Sequence, residues 1–401
     1  MNKIMIIGAN WEQEPLLKEA NEMGFYVIAT NPDPAAEGFK YSDENYVADP
    51  RDLQKLDEIF QKTQPGAVIA DACDYSMFAV AYLTNKYNLS GPNMDSLIIT
   101  NNKYLQRKFA DRGNIPQPKF RLCTTYDEVK AACVDLGLPV MLKPIDNRGS
   151  MGVCKVERTE DLKSAFFETL SNSHSRQMIV EEFILGKVVT VEGLYAGTFH
   201  NLSFSTKKMH LKFPSNAMHL QYPGDLPKSM VENLYSMNSA LIEQIGINFG
   251  LTHSEFIVDE DKIYFLEIAN RGGGVHVSNK IIPAITGINI CEFLIRGARG
   301  NEIHADDFTA SNRKYSILHF FDFGKGRVSK IKNVDETRNI NGVLALRLNF
   351  KVGDYLGDVR TAINRPGFVI ATADDLDICK SIISQVKNEM TIEFVKNWGS
   401  E

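Results

Sequence analysis

Apolar runs alternate with amphipathic stretches through the first part of the chain. The runs KIMII, FYVIA and GAVIA, at residues 3–7, 25–29 and 66–70, are typical of buried parallel strands. Apolar positions at helical spacing over residues 12–23 and 52–62 predict a helix after each of the first two strands. This alternation of strands and helices predicts an α/β domain with a doubly wound parallel sheet.

Polar residues follow each of these predicted strands. Gly8-Ala9-Asn10 follows the first strand, Asn31 the second and Asp71-Ala72-Cys73-Asp74 the third. Ligands of open parallel sheets bind beyond the carboxyl ends of the strands, so these residues are expected to face a ligand. The first turn reads GANWEQ and not GxGxxG, which argues against a dinucleotide-binding site.

Beyond residue 100 the pattern changes to helices mixed with antiparallel strands. Helices are predicted at 101–113, 126–136, 160–171, 229–245, 276–299 and near 374–388, and strands at LPVMLKP, VCKV, MIVEEFI, VVTVEGLYAG, THSEFIV and KIYFLEI. The polar, proline-containing stretch 206–228 is expected to be mostly loop. We expect three domains, at residues 1–98, 99–304 and 305–401, the last of which is small and of the α+β class.

Composition excludes several classes of function. Hydrophobic residues make up 44% of the 401 positions and charged residues 23%, which is ordinary for a globular protein. The net charge of −6 argues against a nucleic-acid partner, and no apolar run approaches the roughly 20 residues of a membrane helix. The six cysteines form no CxxC motif, and the N-terminal apolar run is too short for a signal sequence. We therefore expect a cytoplasmic protein that binds neither nucleic acid nor membrane.

Two glutamates stand on neighbouring strands of a predicted hairpin. Glu255 lies in HSEFIV and Glu267 in YFLEIAN, each among apolar residues. Two carboxylates on adjacent strands repel each other unless a cation lies between them. Mg²⁺ bound to a nucleotide takes one or two carboxylates in addition to phosphate oxygens, so the pair is a candidate metal site. The alternative is a half-exposed hairpin whose glutamates point to solvent.

A candidate phosphate site follows the LPVMLKP strand. Lys143 ends that strand, and the next turn carries Gly149, Ser150 and Gly152. Glycines allow backbone N–H groups to approach phosphate oxygens, and a nearby lysine adds positive charge. The chain has no GxxxxGK[ST] motif, so this is not a P-loop, and an ordinary hairpin turn remains the alternative.

Two further segments could contact a ligand. The stretch Glu181-Glu182-Phe183-Ile184 ends a strand, where backbone groups can bind an adenine edge and apolar side chains can enclose the ring. Arg271 is followed by three glycines directly after the second glutamate strand. Glycines permit close approach of the backbone to a ligand, and an arginine can hold a carboxylate or a transferring phosphoryl group. Read alone, these segments could be a plain strand and a mobile loop.

The order of these motifs resembles the ATP-grasp superfamily. The resemblance is carried by Lys103, LPVMLKP, NRGSMG, VEEFI, HSEF and LEIANRGGG, and it covers about residues 3–300 together with a pre-ATP-grasp N-terminal domain. The C-terminal segment, through GVLALRLNFKVGDYLGDV, looks more loosely like that of L-amino-acid ligases. Within the superfamily the chain is most similar to L-amino-acid ligases and carbamoyl-phosphate-synthetase-like carboxylate–amine ligases. The implied fold is an ATP-grasp domain with a mobile lid at about residues 120–182.

The resemblance also implies roles for individual residues. Those implied to bind ATP are Lys103, Lys143, Gly149, Ser150, Gly152, Glu181, Glu182, Phe183, Ile184 and, for the ribose, Glu192. The implied metal ligands are Glu255, Glu267 and Asn270, the catalytic residues Arg271 and Lys143, and the substrate-binding residues Gly273, Gly274 and His276. Two positions depart from the family pattern. Val188 stands near the usual acidic ribose ligand, and Ala269 stands where asparagine is common.

The reaction implied is the joining of a small carboxylic acid, such as an amino acid, to an amine through an acyl phosphate. ATP and Mg²⁺ (or Mn²⁺), as two ions, would be the cofactors, and ADP and phosphate the products. A homodimer is a further implication of the resemblance. Two alternatives stay open: a carboxylase or formyltransferase of the purine-synthesis type, and a non-catalytic nucleotide-binding regulator.

Overall fold

A computed structural model describes residues 2–213, 216–301 and 314–395 of the chain. The chain forms two compact units, each built from segments that are separate in sequence. The first unit comprises Met1–Gln117, Thr190–Ser203 and Leu226–Ser311, and the second comprises Pro118–Val189, Phe204–Asp225 and Asn312–Glu401. The predicted lid lies inside the first segment of the second unit. The division into three domains remains a prediction.

Strands and helices follow one another along most of the described chain. In chain order, the strands are β1 Lys3–Ile7, β2 Tyr26–Asn31, β3 Glu44–Val47, β4 Val68–Ile69, β5 Phe120–Cys123, β6 Val140–Pro144, β7 Cys154–Val156, β8 Met178–Glu182, β9 Lys187–Ala196, β10 Thr198–Met209, β11 Ala217–Tyr222, β12 Gly250–Asp259, β13 Lys262–Ala269, β14 Tyr315–Phe320, β15 Gly326–Lys332, β16 Val343–Leu348, β17 Tyr355–Leu356, β18 Gly367–Ala373 and β19 Thr391–Phe394. The helices are α1 Glu14–Glu22, α2 Leu53–Thr63, α3 Asp74–Lys86, α4 Met94–Thr100, α5 Lys103–Arg112, α6 Tyr126–Leu136, α7 Leu162–Ser171, α8 Lys228–Ile245, α9 Ile282–Thr286, α10 Ile290–Ala298, α11 Val334–Arg338 and α12 Leu376–Glu389.

The first unit begins with a four-stranded parallel sheet in the order β3-β2-β1-β4. All of Ile4–Ile7 is buried, as expected for a central strand covered on both faces. The predicted doubly wound sheet is therefore confirmed. Strand order reverses between β1 and β4, and the residues that follow these two strands lie at that switch point, where such sheets bind ligands.

The same unit contains the glutamate hairpin. Strands β13, β12, β9 and the first part of β10 are neighbours in that order. The predicted helix at 276–299 is divided into a π-helical turn, Val277–Ile281, and the helices α9 and α10. No single described helix is long and apolar enough to cross a membrane, and one bent pair, Val277–Thr286 with Ile290–Ala298, passes that test by length and composition alone.

The second unit contains a small antiparallel sheet in the order β5-β8-β6-β7. Helices α6 and α7 pack on it through an apolar cluster that includes Val129, Phe166 and Val180. Helix α6 begins at residue 126, as predicted, because Thr125 and Glu128 form a capping box that satisfies its first N–H groups.

The stretch 206–228 contains strand residues that were not predicted, beside described residues that lie outside helices and strands. Strand β10 continues to Met209, and β11 occupies Ala217–Tyr222. Buried Ala217, Leu220 and Tyr222 pack inward, and β11 pairs with β14, whose residues come about a hundred positions later in the chain. Because β11 is stabilised by a partner so distant in sequence, the residues around it do not predict a strand. Strands β18 and β16 complete this sheet, and α12 packs against β14 and β18.

Two histidines face each other across β11 and β14. His219 lies opposite His319, with ring centroids 6.1 Å apart. Burial, followed by the charge of nearby Lys208 for His219 and Lys387 for His319, lowers the pKa of each imidazole from 6.5 to about 4. Both rings are therefore neutral at pH 7, and the unfolded chain takes up protons at a higher pH than the folded chain does.

Acid should therefore destabilise the second unit. As the pH falls from about 6.5 to about 4, unfolding becomes coupled to proton uptake by His219 and His319. We expect the free energy of unfolding to drop by up to about 7 kcal/mol over this window, at about 1.4 kcal/mol per pKa unit for each of the two groups. Thermal unfolding followed between pH 7.5 and pH 4 tests this. His219→Gln should flatten the dependence, whereas the same change at exposed His174 should leave it intact; equal slopes in both variants would contradict the assignment.

Candidate active site

Glu255 and Glu267 are direct cross-strand partners on β12 and β13. They share one face of the hairpin, next to an irregularity between Glu255 and Phe256. Their side chains are about one third exposed, at 30% and 39%. Like charges placed directly opposite each other are unfavourable in a sheet, so this pair requires neutralising groups nearby.

Lys103 supplies one of these groups. It opens α5, whose N-cap Asn102 accepts a hydrogen bond from the N–H of Leu105. The Lys103 ammonium lies 2.7 Å from Glu267 Oε1, and its side chain is only 8% exposed. This ion pair brings Lys103 and Glu267 together, and their roles at a phosphate and at a metal remain predictions.

The carboxylate pair fits Mg²⁺. Magnesium is usually held by one or two protein carboxylates plus water and substrate phosphate oxygens. No set of three or more His, Cys, Asp or Glu residues in the described part of the chain could hold a metal by itself. Glu255 and Glu267 would therefore share a metal ion with oxygen ligands from a nucleotide, which their partial exposure allows.

Glu192 lies beside this pair. Its Oε1 is 2.7 Å from Nδ1 of His253, and His253 Nε2 is 3.6 Å from Glu255 Oε1. The Glu192 side chain is 4% exposed. Glu192 belongs to β9 and is linked to Glu255 through His253, and its role at a ribose remains a prediction.

Asn270 is almost fully buried at the end of β13. Its amide nitrogen donates to the carbonyls of Phe249 and Leu251, both at 3.0 Å, and its Oδ1 lies 3.3 Å from Ser96 Oγ. These bonds tie β13 to the start of β12 and to α4. The predicted metal contact of Asn270 remains a prediction, and the described contacts of its side chain are with protein groups.

Arg271 is held by a carboxylate from the N-terminal sheet. Its Nε donates to Asp74 Oδ1 at 2.8 Å, and its Nη1 donates to the carbonyl of Gly272 at 3.0 Å. Burial opposes the charge, but the Asp74 carboxylate outweighs burial, and the pKa of Arg271 is raised above its ordinary value. The guanidinium therefore remains a cation with a fixed orientation.

The residues after Arg271 form a constrained loop. Val275 and His276 have φ angles of 58° and 60°, a left-handed conformation that costs non-glycine residues about 1–3 kcal/mol each. His276 is buried, contacts Trp11 edge-on at 5.0 Å and lies 2.9 Å from Asn279 Oδ1 through Nδ1. A Cβ on Gly273 would lie 3.0 Å from both Glu192 and His253, so glycine allows the loop to approach this pair. Gly274 lies beside Glu12 in the same loop.

In the second unit, Lys143 and Glu181 form a buried ion pair. Met141 of β6 is the cross-strand partner of Glu181 on β8, and Lys143 lies two residues further along β6. Lys143 Nζ is 2.5 Å from Glu181 Oε2, with the two side chains 14% and 1% exposed. Two residues that the sequence predicted to bind one nucleotide are thus neighbours.

The predicted adenine segment follows β8. Glu182 Oε1 accepts the N–H of Lys119 at 2.9 Å, and the N–H of Phe183 donates to Pro139 O at 3.2 Å. The Lys155 ammonium lies 4.1 Å from the centre of the Phe183 ring. Phe183 lines a cavity of about 500 Å³ in this unit, together with Met141, Ser150, Gly152, Lys155 and Arg360. Half-buried Ile184 is the next residue of the segment.

The glycine loop borders the same cavity. Gly149, Ser150 and Gly152 all have positive φ angles, at 63°, 61° and 69°. A Cβ on Gly152 would lie 2.5 Å from Asn172 Cβ, so this position requires glycine. The carbonyl of Gly149 accepts the N–H of Ala362 at 3.4 Å. The loop thus has the tight backbone that its predicted phosphate role needs.

Sequence reasoning missed the partners that hold this chemistry in place. It noted that polar residues follow β1 and β4, but it did not identify Asp74 as the partner of Arg271, nor Glu12 and Asp71 as contacts of the glycine-rich loop. The sequence did place these charged residues after β1 and β4, at the switch point where parallel sheets bind ligands. Which segment they contact depends on the packing of residues about two hundred positions apart.

Comparison with protein families gives two matches. Residues 136–279 match the ATP-grasp domain, and residues 319–395 match the L-amino acid ligase C-terminal domain 2. Curated relatives span nearly the whole chain. The formate-dependent phosphoribosylglycinamide formyltransferase of Saccharolobus solfataricus is 25% identical over 98% of this chain and 97% of its own length. The enzyme of the same name from Prochlorococcus marinus subsp. pastoris is 24% identical over 94% of both.

Solved structures share the fold at lower identity. An L-amino acid ligase from Bacillus licheniformis superposes with a TM-score of 0.82 at 19% identity, over 99% of both chains. A phosphoribosylglycinamide synthetase from Anaerococcus prevotii gives 0.77 at 19% identity, over 98% of this chain and 100% of that one. The predicted fold class is confirmed, and ATP with Mg²⁺ are the cofactors of such domains. Residues 136–279 are thus similar to the ATP-grasp domain, and the protein is an ATP-dependent enzyme that forms carbon–nitrogen bonds.

Proposed function

We propose that this enzyme activates formate as an acyl phosphate and transfers the formyl group to the amine of a phosphoribosylglycinamide-like acceptor. A carboxylate oxygen of the acid attacks the γ-phosphorus of ATP, and the bond from that phosphorus to the β,γ-bridging oxygen breaks to release ADP. The amine nitrogen then attacks the carbonyl carbon, phosphate leaves, and the nitrogen gives up a proton.

The geometry that carries the proposal is the carboxylate pair with its lysine. Glu255 and Glu267 face each other across the hairpin, and Lys103 lies 2.7 Å from Glu267. In this arrangement the carboxylates would hold Mg²⁺, which would supply charge neutralisation at the transferring phosphoryl group. Two ions, of magnesium or manganese, are part of the proposal. Lys103 would add positive charge where phosphate oxygens bind, and Arg271 would face the reacting acid as a permanent cation.

In the second unit, Lys143 and the residues around one cavity are candidates for binding a nucleotide. The cavity beside Phe183 has a size that suits a nucleoside, and its wall combines the apolar Met141 with the ammonium of Lys155. Gly149 and Gly152 would offer backbone N–H groups to the phosphates. Closure of this loop would exclude water, which would otherwise hydrolyse the acyl phosphate.

The choice of formate and a phosphoribosylated amine rests on the relatives that align over nearly the whole chain. A second candidate is the ligation of an amino acid to an amine, which is what the sequence motifs implied first. It is favoured by the match of residues 319–395 to the C-terminal domain of L-amino acid ligases. Both candidates share the acyl phosphate and differ only in the acid and the amine.

Release of ADP and phosphate from MgATP by the purified protein tests the proposal. We expect release to rise at least about tenfold when formate and phosphoribosylglycinamide are both present, and little when either is omitted. A parallel set of amino acids, supplied singly and in pairs, tests the second candidate. Formation of AMP and pyrophosphate would contradict the acyl-phosphate mechanism for both.

A further inference from the structure

Residues 271–279, called the anchored loop below, comprise the loop after β13 and the first residues of the π-helical turn. This segment is bonded to residues that follow strands of the N-terminal parallel sheet. Asp71, which follows β4, accepts the N–H of Gly272 at 2.9 Å and the hydroxyl of Ser278 at 2.7 Å, one with each carboxylate oxygen. Asp71 is 4% exposed. One buried carboxylate therefore joins the two ends of the loop.

Residues after β1 hold the middle of the loop. Glu12 Oε1 accepts the N–H of Val275 at 2.6 Å, and the backbone carbonyl of Glu12 accepts the side-chain amide of Asn279 at 2.7 Å. Trp11 contacts the ring of His276 edge-on. Together with Asp74 on Arg271, these contacts engage the loop at its start, middle and end.

The loop is packed too closely for this arrangement to be incidental. A Cβ on Gly272 would lie 2.5 Å from Ser278 Cβ and 2.7 Å from Asp71 Oδ1. Val275 and His276 both have positive φ angles, which Val275 in particular adopts rarely because its side chain is β-branched. Such a backbone persists only where its surroundings determine it strongly, and the N–H of Val275 is held by a carboxylate.

From these contacts we infer that Asp71 and Glu12 are positioning residues, which hold the anchored loop in the one conformation that presents Arg271 and His276 to the acid and the amine. The switch point of the N-terminal sheet thus acts on catalysis through the loop. This inference rests on the proposed function for the identity of the substrates. The contacts that anchor the loop are within the protein and do not depend on which substrates bind.

If Asp71 and Glu12 position the anchored loop, weakening their contacts should affect the acid and the amine but not MgATP. Lys103, Glu255 and Glu267 lie outside the loop, so weakening the anchors should leave MgATP binding almost unchanged. The geometry at Arg271 and His276 should loosen, and small displacements of positioning groups lower the rate of reaction strongly. The effect should fall on kcat and on KM for the acid and the amine.

The key variant is Ser278→Ala, which removes one hydrogen bond from Asp71 and changes no charge. Thr63→Val is its matched control, because Thr63 is also a buried hydroxyl of the first unit but bonds within α2. Hydrogen exchange of the 271–279 amides should accelerate at least tenfold in Ser278→Ala and not in Thr63→Val. With active substrates, kcat/KM for the acid and the amine should fall at least tenfold, and KM for MgATP should change less than twofold.

Asp71→Asn provides the second variant, since asparagine has nearly the same shape and can still accept from Gly272 N–H. We expect kcat/KM for the acid and the amine to fall less than in Asp71→Ala, again with little change in KM for MgATP. Unchanged amide exchange in the loop of Ser278→Ala would overturn the anchoring. Faster exchange with unchanged kcat/KM would overturn the positioning role. Amide hydrogen exchange needs no catalytic turnover. It therefore tests the anchoring even if formate and phosphoribosylglycinamide prove to be the wrong substrates.

Discussion

Replacing Glu267 with Gln should reduce phosphate release from MgATP about 10³-fold. The neutral amide keeps the size of the side chain and can still accept a hydrogen bond from Lys103, so the hairpin should fold normally. It removes half of the carboxylate charge available to a metal, which supplies several kcal/mol of stabilisation to the transferring phosphoryl group. A loss of about 4 kcal/mol corresponds to about three powers of ten in rate. Steady-state release of phosphate, followed as a function of Mg²⁺ concentration, measures this loss in rate. We expect the variant to need a higher Mg²⁺ concentration.

Glu260→Gln is the matched control for this experiment. Glu260 belongs to the exposed turn of the same hairpin, between β12 and β13, and lies outside the set of candidate site residues. It undergoes the same chemical change on the same element, so activity should remain near that of the unchanged protein. Equal activity in Glu267→Gln and Glu260→Gln would remove Glu267 from the metal site.

The hairpin illustrates what the sequence could predict. Apolar alternation on both sides of Asp259-Glu260-Asp261 predicts two strands, and a one-residue shift in register between Glu255 and Phe256 then brings the two glutamates opposite each other. Lys143 and Glu181 were also assigned to one ligand from the order of motifs, and they are ion-paired. The two strands of the hairpin follow each other in sequence, so their pairing is determined locally. The pairing of Lys143 with Glu181, 38 positions apart, depends on the packing of β6 against β8.

The remaining contacts depend on tertiary packing. Asp71 meets Ser278 across 207 positions, and Arg271 meets Asp74 across 197. No local pattern specifies such pairs, since a buried aspartate and a loop arginine are each compatible with many partners. Strand β11 is missing from the sequence analysis for the same reason, because its partner β14 begins only at Tyr315. Glu192, which the resemblance assigns to a ribose, contacts His253 across 61 positions, and no local pattern predicts that contact either.

Replacing Lys143 with Met should damage both stability and nucleotide binding, and the two effects can be separated. Glu181 is 1% exposed and would lose its ammonium partner. Removing one member of a buried ion pair destabilises a protein by about 3–5 kcal/mol, because the other charge stays buried. Loss of a charged hydrogen bond to a phosphate costs about 1.5–3 kcal/mol, which corresponds to a tenfold to hundredfold weaker affinity for ATP.

The double variant Lys143→Met with Glu181→Gln distinguishes the two roles. Glutamine removes the buried charge, so most of the stability lost in Lys143→Met should return, as measured by urea unfolding. The affinity for ATP, measured by calorimetry, should stay low because no ammonium is present for the phosphates. Lys130→Met, which breaks an exposed pair with Asp127 on α6, should change neither quantity much. If the double variant recovered ATP affinity along with stability, Lys143 would be a structural partner of Glu181 and not a ligand of the nucleotide.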